Sequence, residues 1–190
     1  MDIRPVQAGA GERLREIRLR ALLDSPDAFG STYDREIQCP VEVWRERAAR
    51  SGRGDEDATF VAESGDRWIG MAMGHLDADD PSRAGLYGLW VEPAERKSGV
   101  GLALTDAVAD WARSRRAEWL LLLVIESNAG AIGLYHRAGF TETGRIVPLP
   151  RDPSVVEIEM VRPLAIQRGA EHSDRAEAAE RIKFERTTKP

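Results

Sequence analysis

Seven consecutive apolar residues, Trp-Leu-Leu-Leu-Leu-Val-Ile at 119–125, constrain the fold more than any other stretch of this chain. The run does not alternate with polar residues. It therefore predicts a strand covered on both faces, of the central or parallel kind. No apolar run reaches the ~18 residues that a membrane span needs. The helix predicted just before it, at 99–114, offers one covering layer. Val100, Leu104, Ala107, Val108 and Trp111 form its apolar face, with Asp106, Asp110 and Arg113 off it.

The remaining periodicities fill in an α+β order. Residues 2–6 read as a first strand, 11–23 as a helix, and 24–39 as a loop with room for a helical turn. A second helix starts at Pro40, taken as a first-turn residue. Strands at 58–64 and 67–76 flank a Ser64-Gly65-Asp66 turn, and a third strand covers 85–91. After the 119–125 strand, a short helix runs from Asn128 to Arg137 and stops at Gly139. Residues 140–147 and 155–161 form a closing antiparallel pair. The expectation is an α/β sandwich over residues 1–163. A charged tail, 164–190, is expected to be mobile or weakly helical.

Cys39 stands alone, so neither an internal disulfide nor a cysteine metal cluster can form, and a reducing cytoplasm is the expected location. The first twenty residues are charged throughout, unlike a signal peptide. A net charge of −5 and no basic, aromatic-studded face argue against a nucleic-acid partner. The histidines, His75, His136 and His172, form no metal constellation.

The junction between the 85–91 strand and the following helix carries the functional signal. It reads Arg96-Lys97-Ser98-Gly99-Val100-Gly101. Backbone N–H groups at a helix start lack intrahelical partners and carry the positive end of the helix dipole. Glycines let a ligand approach those amides, and Arg96 and Lys97 offer counter-charge. Together they suit a phosphate or pyrophosphate. The string is not a P-loop, and Leu104 stands where a dinucleotide fingerprint needs its third glycine. Taken alone, the turn is as well explained by a tight connection into a helix.

Two motifs together resolve that ambiguity. Arg96-x-x-Gly99-x-Gly101 after Trp90-Val91 resembles the pyrophosphate loop of the GNAT superfamily of N-acetyltransferases. Asn128-Ala129-Gly130-Ala131-Ile132-Gly133-Leu134-Tyr135, followed by Gly139-Phe140, resembles that superfamily's second signature. The Arg18–Phe29 stretch resembles a bacterial branch of it. The resemblance covers roughly residues 2–163. It implies a mixed, mostly antiparallel sheet whose central strands splay apart, acetyl-CoA as donor, no metal, and a primary amine as acceptor.

By the same resemblance, the pantetheine arm lies along Leu89, Trp90 and Val91, and the amides of residues 96–101 hold the pyrophosphate. Asn128 bonds the pantetheine and Ala131 leaves it room. Tyr135 protonates the departing thiolate as general acid. A backbone amide near Val91 stabilises the oxyanion. Asn128 and Tyr135 are seven residues apart, so they share a helix face about 10 Å apart along the axis. Asn128 also reads as a helix N-cap and Tyr135 as a core aromatic.

No carboxylate stands on the strand before the loop, so the general base has no assignment. Glu126 and His75 are its candidates, and Glu63 and Glu92 read as solvated or capping residues. The acceptor site is expected to draw on Phe29, Tyr33, Asp34 and Glu126. The competing reading is a non-catalytic acyl-CoA sensor or subunit. A homodimer is compatible with the family, though no motif encodes it.

Overall fold

The structure, a computed structural model, describes residues 1–164. All but the first residue of the expected tail lies outside the described residues. The strands are β1 (Asp2–Pro5), β2 (Asp57–Ser64), β3 (Arg67–Leu76), β4 (Arg83–Val91), β5 (Trp119–Ile125), β6 (Thr141–Leu149) and β7 (Asp152–Pro163). The helices are α1 (Gly11–Asp24), α2 (Tyr33–Ile37), α3 (Val41–Arg53), α4 (Val100–Ser114) and α5 (Ala129–Arg137). One seven-stranded sheet runs β1-β2-β3-β4-β5-β7-β6. Every neighbouring pair is antiparallel except β4 and β5. The fold is the expected mixed, mostly antiparallel α+β arrangement. Among the described residues no helix is long and apolar enough to cross a membrane.

The β4–β5 pairing positions the site. It joins only Arg83–Gly85 to Trp119–Leu121. Beyond that, β4 bends away. The cause lies on its other edge. Met73 pairs with Tyr87 and Met71 with Trp90, so Gly88 and Leu89 together oppose Ala72 in a β-bulge. Gly88 holds φ +59°, and a Cβ there would come within 2.7 Å of Met73 Cε. Only glycine enters that conformation and that space readily.

Two cores flank the sheet. On one face α4 rests on β2, β3 and β4, burying Val100, Leu104, Val108 and Trp111 against Ala62, Ile69, Ala72 and Leu86. Its stripe is wider than expected. Thr105, Ala109 and Ala112 are inside, while Ala107 is only half-buried. The Thr105 hydroxyl is satisfied by donating to Gly101 O at 2.8 Å. On the other face α1 and α3 cover β2 and β3, around Leu14, Ile17, Trp44, Val61 and Met71.

That second layer stops short, which corrects one expectation. β5 is not covered on both faces. Leu120, Leu122 and Val124 are buried towards α4, but Leu123 is 40% exposed, and Trp119, Leu121 and Ile125 are half-buried. Helices α1 and α3 sit over the β2–β3 part of the sheet and leave the opposite face of β5 open. An apolar run can therefore mark a strand that borders a cleft. Pro40 is likewise the N-cap of α3 rather than a first-turn residue. The 24–39 stretch is more ordered than a loop. It holds a 3-10 turn at Pro26–Ala28 and then α2.

A buried ion pair pins α2 to its neighbours. Glu36 accepts from Arg18 Nη2 at 3.0 Å and Arg18 Nε at 3.2 Å, and from Arg47 Nη1 at 3.4 Å. Its side chain is 8% exposed. Burial alone would raise the Glu36 pKa, but hydrogen bonding and charge from Arg18, with help from Ser31 and Arg47, outweigh it and lower the pKa. A depressed folded pKa adds stability above the unfolded pKa and loses it as pH falls through the folded value. Glu36→Gln should therefore cost about 3 kcal/mol at neutral pH. In urea titrations the gap to wild type should begin to narrow as the pH drops below the ordinary value near 4.5 and close only below the depressed folded value.

Candidate functional site

The chain leaving β4 makes a 3-10 turn at Pro93–Glu95 and then two left-handed steps, Lys97 at φ +64° and Gly99 at φ +93°. Helix α4 starts immediately after. Among the described residues, the N–H groups from Lys97 to Leu102 have no hydrogen-bond partner. Ser98 braces the turn through its hydroxyl, which donates to Glu95 O at 2.6 Å. The result is a cup of unpaired amides at the positive end of a fifteen-residue helix, suited to an anion.

The two glycines of the cup serve different purposes. A Cβ at Gly99 would meet nothing within 4 Å, so this position opens to a ligand and needs glycine for its φ. At Gly101 a Cβ would lie 2.6 Å from Leu134 Cδ1. Gly101 therefore also lets α5 pack against α4. Arg96 is engaged within the chain. Its Nε donates to Val91 O at 3.0 Å, and its guanidinium pairs with Asp24 at the end of α1. Asp24 accepts from Trp90 Nε1 at 2.9 Å as well. Partial burial would raise the Asp24 pKa, but hydrogen bonds from Ser25, Trp90 and Arg96 outweigh it and lower it. Arg96 thus clips the loop to α1, and Lys97 is left as the loop's cation, with no ion pair among the described residues.

The second motif meets the first. Leu89 and Val91 on β4 and Ala131 on α5 pack at the margin of the same core, where β4 has parted from β5. Trp90 points the other way, into the core under α1. Asn128 caps α5, its Oδ1 accepting from Ala131 N at 3.1 Å. Tyr135 is buried, its ring edge-on to Phe140 at 5.7 Å. Among the described residues its hydroxyl has no hydrogen-bond partner. Burial pushes its pKa far up, so the phenol keeps its proton at any ordinary pH.

The expected acceptor residues do not gather. Phe29 is buried beneath the Arg18 guanidinium, 4.7 Å from its ring centroid, and Tyr33 packs beside the same core. Asp34 is exposed, and Glu126 is exposed just past the end of β5. Glu63 is held by Arg4 and Arg13, and Glu92 by Arg20 and Arg67. What the sequence did not reveal is a pair of cavities on the open face, about 360 and 370 Å³. Arg18, Glu36 and Met73 line the first; Leu121, Leu123 and Glu159 line the second; His75 and Tyr87 belong to both. Their walls come from six strands and three helices, so no local motif announces them.

Gly99→Ala should lower stability by about 1 kcal/mol through backbone strain alone. Gly101→Val should lower it further, because Leu134 and α5 must move. Urea denaturation of the two variants checks the order.

With this geometry in view, comparison with known proteins is informative. Residues 19–140 match the model of the Acetyltransferase (GNAT) family. A mycothiol acetyltransferase of Amycolatopsis mediterranei is 34% identical over 93 residues, 46% of this chain and 31% of that protein. The ribosomal protein bS18-alanine N-acetyltransferase of Escherichia coli K12 is 30% identical over 112 residues, 59% of this chain and 74% of that protein. The chain thus spans less than a third of the first relative's length. A GNAT acetyltransferase of Streptococcus pneumoniae superposes with a TM-score of 0.71 at 19% identity, covering 86% of this chain and 99% of the other. A Salmonella typhimurium protein solved with its cofactor acetyl-CoA gives 0.70 at 19% identity, covering 90% and 98%. The family match spans well over half of the sequence, and the fold agrees with it: the chain belongs to the acetyltransferase (GNAT) family.

Proposed function

We propose that this protein transfers an acetyl group from acetyl-CoA to a primary amine, with both substrates bound together. The observation that carries the reading is the conjunction of the amide cup at 97–102 with the unpaired edge of β4 that leads into it. A pyrophosphate suits the first and an extended amide-bearing arm suits the second. The Salmonella neighbour's cofactor and the relatives' acetyltransferase names support the same donor.

Acetyl-CoA supplies the acyl thioester. The amides of Lys97 to Leu102, with the Lys97 ammonium, would hold its pyrophosphate. The edge of β4 at Leu89–Val91 and the amide group of Asn128 would hold its pantetheine, and the small side chain of Ala131 leaves room. A backbone N–H near Val91 would stabilise negative charge on the carbonyl oxygen. Tyr135 is the general acid. It still carries its proton at neutral pH, because burial holds it protonated.

Calorimetry with acetyl-CoA, followed by thiol release over an amine panel, tests the reading. Binding with release on one amine class is expected. Binding with no release on any amine would favour the sensor instead, and no binding would return the 97–102 turn to a plain helix start. Gly99→Glu should abolish acetyl-CoA binding, because it places bulk and negative charge in the cup. Tyr135→Phe should keep acetyl-CoA affinity and lower kcat about 100-fold or more, the usual share of a general acid. An unaltered kcat would remove Tyr135 from the chemistry.

A further inference from the structure

We propose that His75, held in place by Asp57, is the general base that takes the proton from the acceptor's ammonium group. The inference rests on the transferase reading above and names the residue which that reading leaves open.

Position comes first. His75 on β3 pairs with Gly85 of β4, and Gly85 is the last residue of β4 that still pairs with β5. His75 therefore stands where the two central strands part. It lines both cavities together with Tyr87, on the face that α1 and α3 only partly cover. Tyr135 belongs to the core on the α4 side. A base on one face and an acid on the other, with the strand gap between them, is the arrangement that a bisubstrate transfer needs.

Orientation follows. His75 Nδ1 lies 2.6 Å from Asp57 Oδ1, and Asp57 Oδ2 lies 2.6 Å from Arg50 Nε. A carboxylate already held by an arginine accepts, so Nδ1 carries the hydrogen and Nε2 carries the lone pair. Among the described residues Nε2 has no hydrogen-bond partner, and the side chain is 47% exposed, so an acceptor can reach it.

The other groups around these cavities are engaged. Glu36 is shared by Arg18 and Arg47, and Glu159 is bound by Arg145. Arg83 is paired with Asp80, and Asp77 accepts from the turn amides of Asp79 and Asp80. Burial, with the nearby Asp77 charge, raises the Tyr87 pKa, so its phenol keeps its proton. His75 is left as the base with a free lone pair.

The protons balance. Nε2 takes one from the acceptor's ammonium, which frees the nitrogen lone pair to bond to the carbonyl carbon. The C–S bond breaks and Tyr135 gives its proton to the thiolate. The newly acylated nitrogen gives up a second proton, which restores Tyr135 through solvent. His75 returns its own to water, and one proton is released overall.

The first test needs no acceptor. Two-bond 15N–1H correlation spectra of the imidazole-labelled free protein at pH 8 should show His75 protonated at Nδ1. Asp57→Asn should weaken or reverse that preference. Protonation at Nε2 in the wild type overturns the proposal. The second test uses the best amine of the panel. His75→Gln should bind acetyl-CoA as wild type does. Its kcat/KM at pH 7 should fall about 100-fold, recovering as pH rises and hydroxide takes over. An unchanged kcat/KM at pH 7 would overturn the role of His75 while leaving the transferase standing. Failure of wild type to bind acetyl-CoA would instead remove the reading beneath it.

Discussion

The rest of the site depends on the bulge at Gly88. A sheet of antiparallel neighbours tolerates one parallel pair here only over three residues on each strand, because β4 then accommodates an extra residue against β3 and turns away. The gap, the unpaired edge of β4 and the direction in which the chain enters the amide cup all follow from that turn. Gly88 has a left-handed backbone and a methionine pressed against it. Substituting it would strain the bulge at the origin of that gap.

Carboxylates near the open face show a second regularity. Glu36, Glu63, Glu92 and Glu159 are each held by one or two arginines, and Asp24 by Arg96. An ion pair of this kind costs little when both partners stay and a great deal when one is lost. It also keeps a carboxylate occupied, so it serves as a brace and not as a proton acceptor. Asp57 is the exception in kind. It shares its charge between an arginine and an imidazole, and so turns a brace into an orienting group.

Most elements were legible in the sequence because their causes are local. Helix α4 follows from the spacing of Val100, Leu104, Val108 and Trp111, the β2–β3 turn from Gly65, and the end of α5 from Gly139. The cup was legible because glycines and a strand-to-helix junction are sequence features. The reach of α1 and α3 across the sheet was not, and it decides that Leu123 faces solvent. The engagement of Arg96 with Asp24 was not, since their separation along the chain hides their contact. The packing role of Gly101 was not legible because its partner, Leu134, lies on another helix. The packing of Phe29 and Tyr33 was hidden for the same reason: apolar residues in a loop look alike whether a core or a ligand receives them.

Reliance of the 97–102 turn on main-chain amides has an evolutionary corollary. On the proposed reading the donor is recognised by groups that every residue but proline possesses, so drift in those side chains leaves recognition largely intact as long as Gly99 keeps its backbone freedom. The acceptor side is written wholly in side chains, spread over separate strands and helices that hold their shape independently. One half of the molecule is thereby insulated from mutation and the other exposed to it. A lineage can retool its amine specificity by replacing residues around His75 and Tyr87 without renegotiating its contract with the donor.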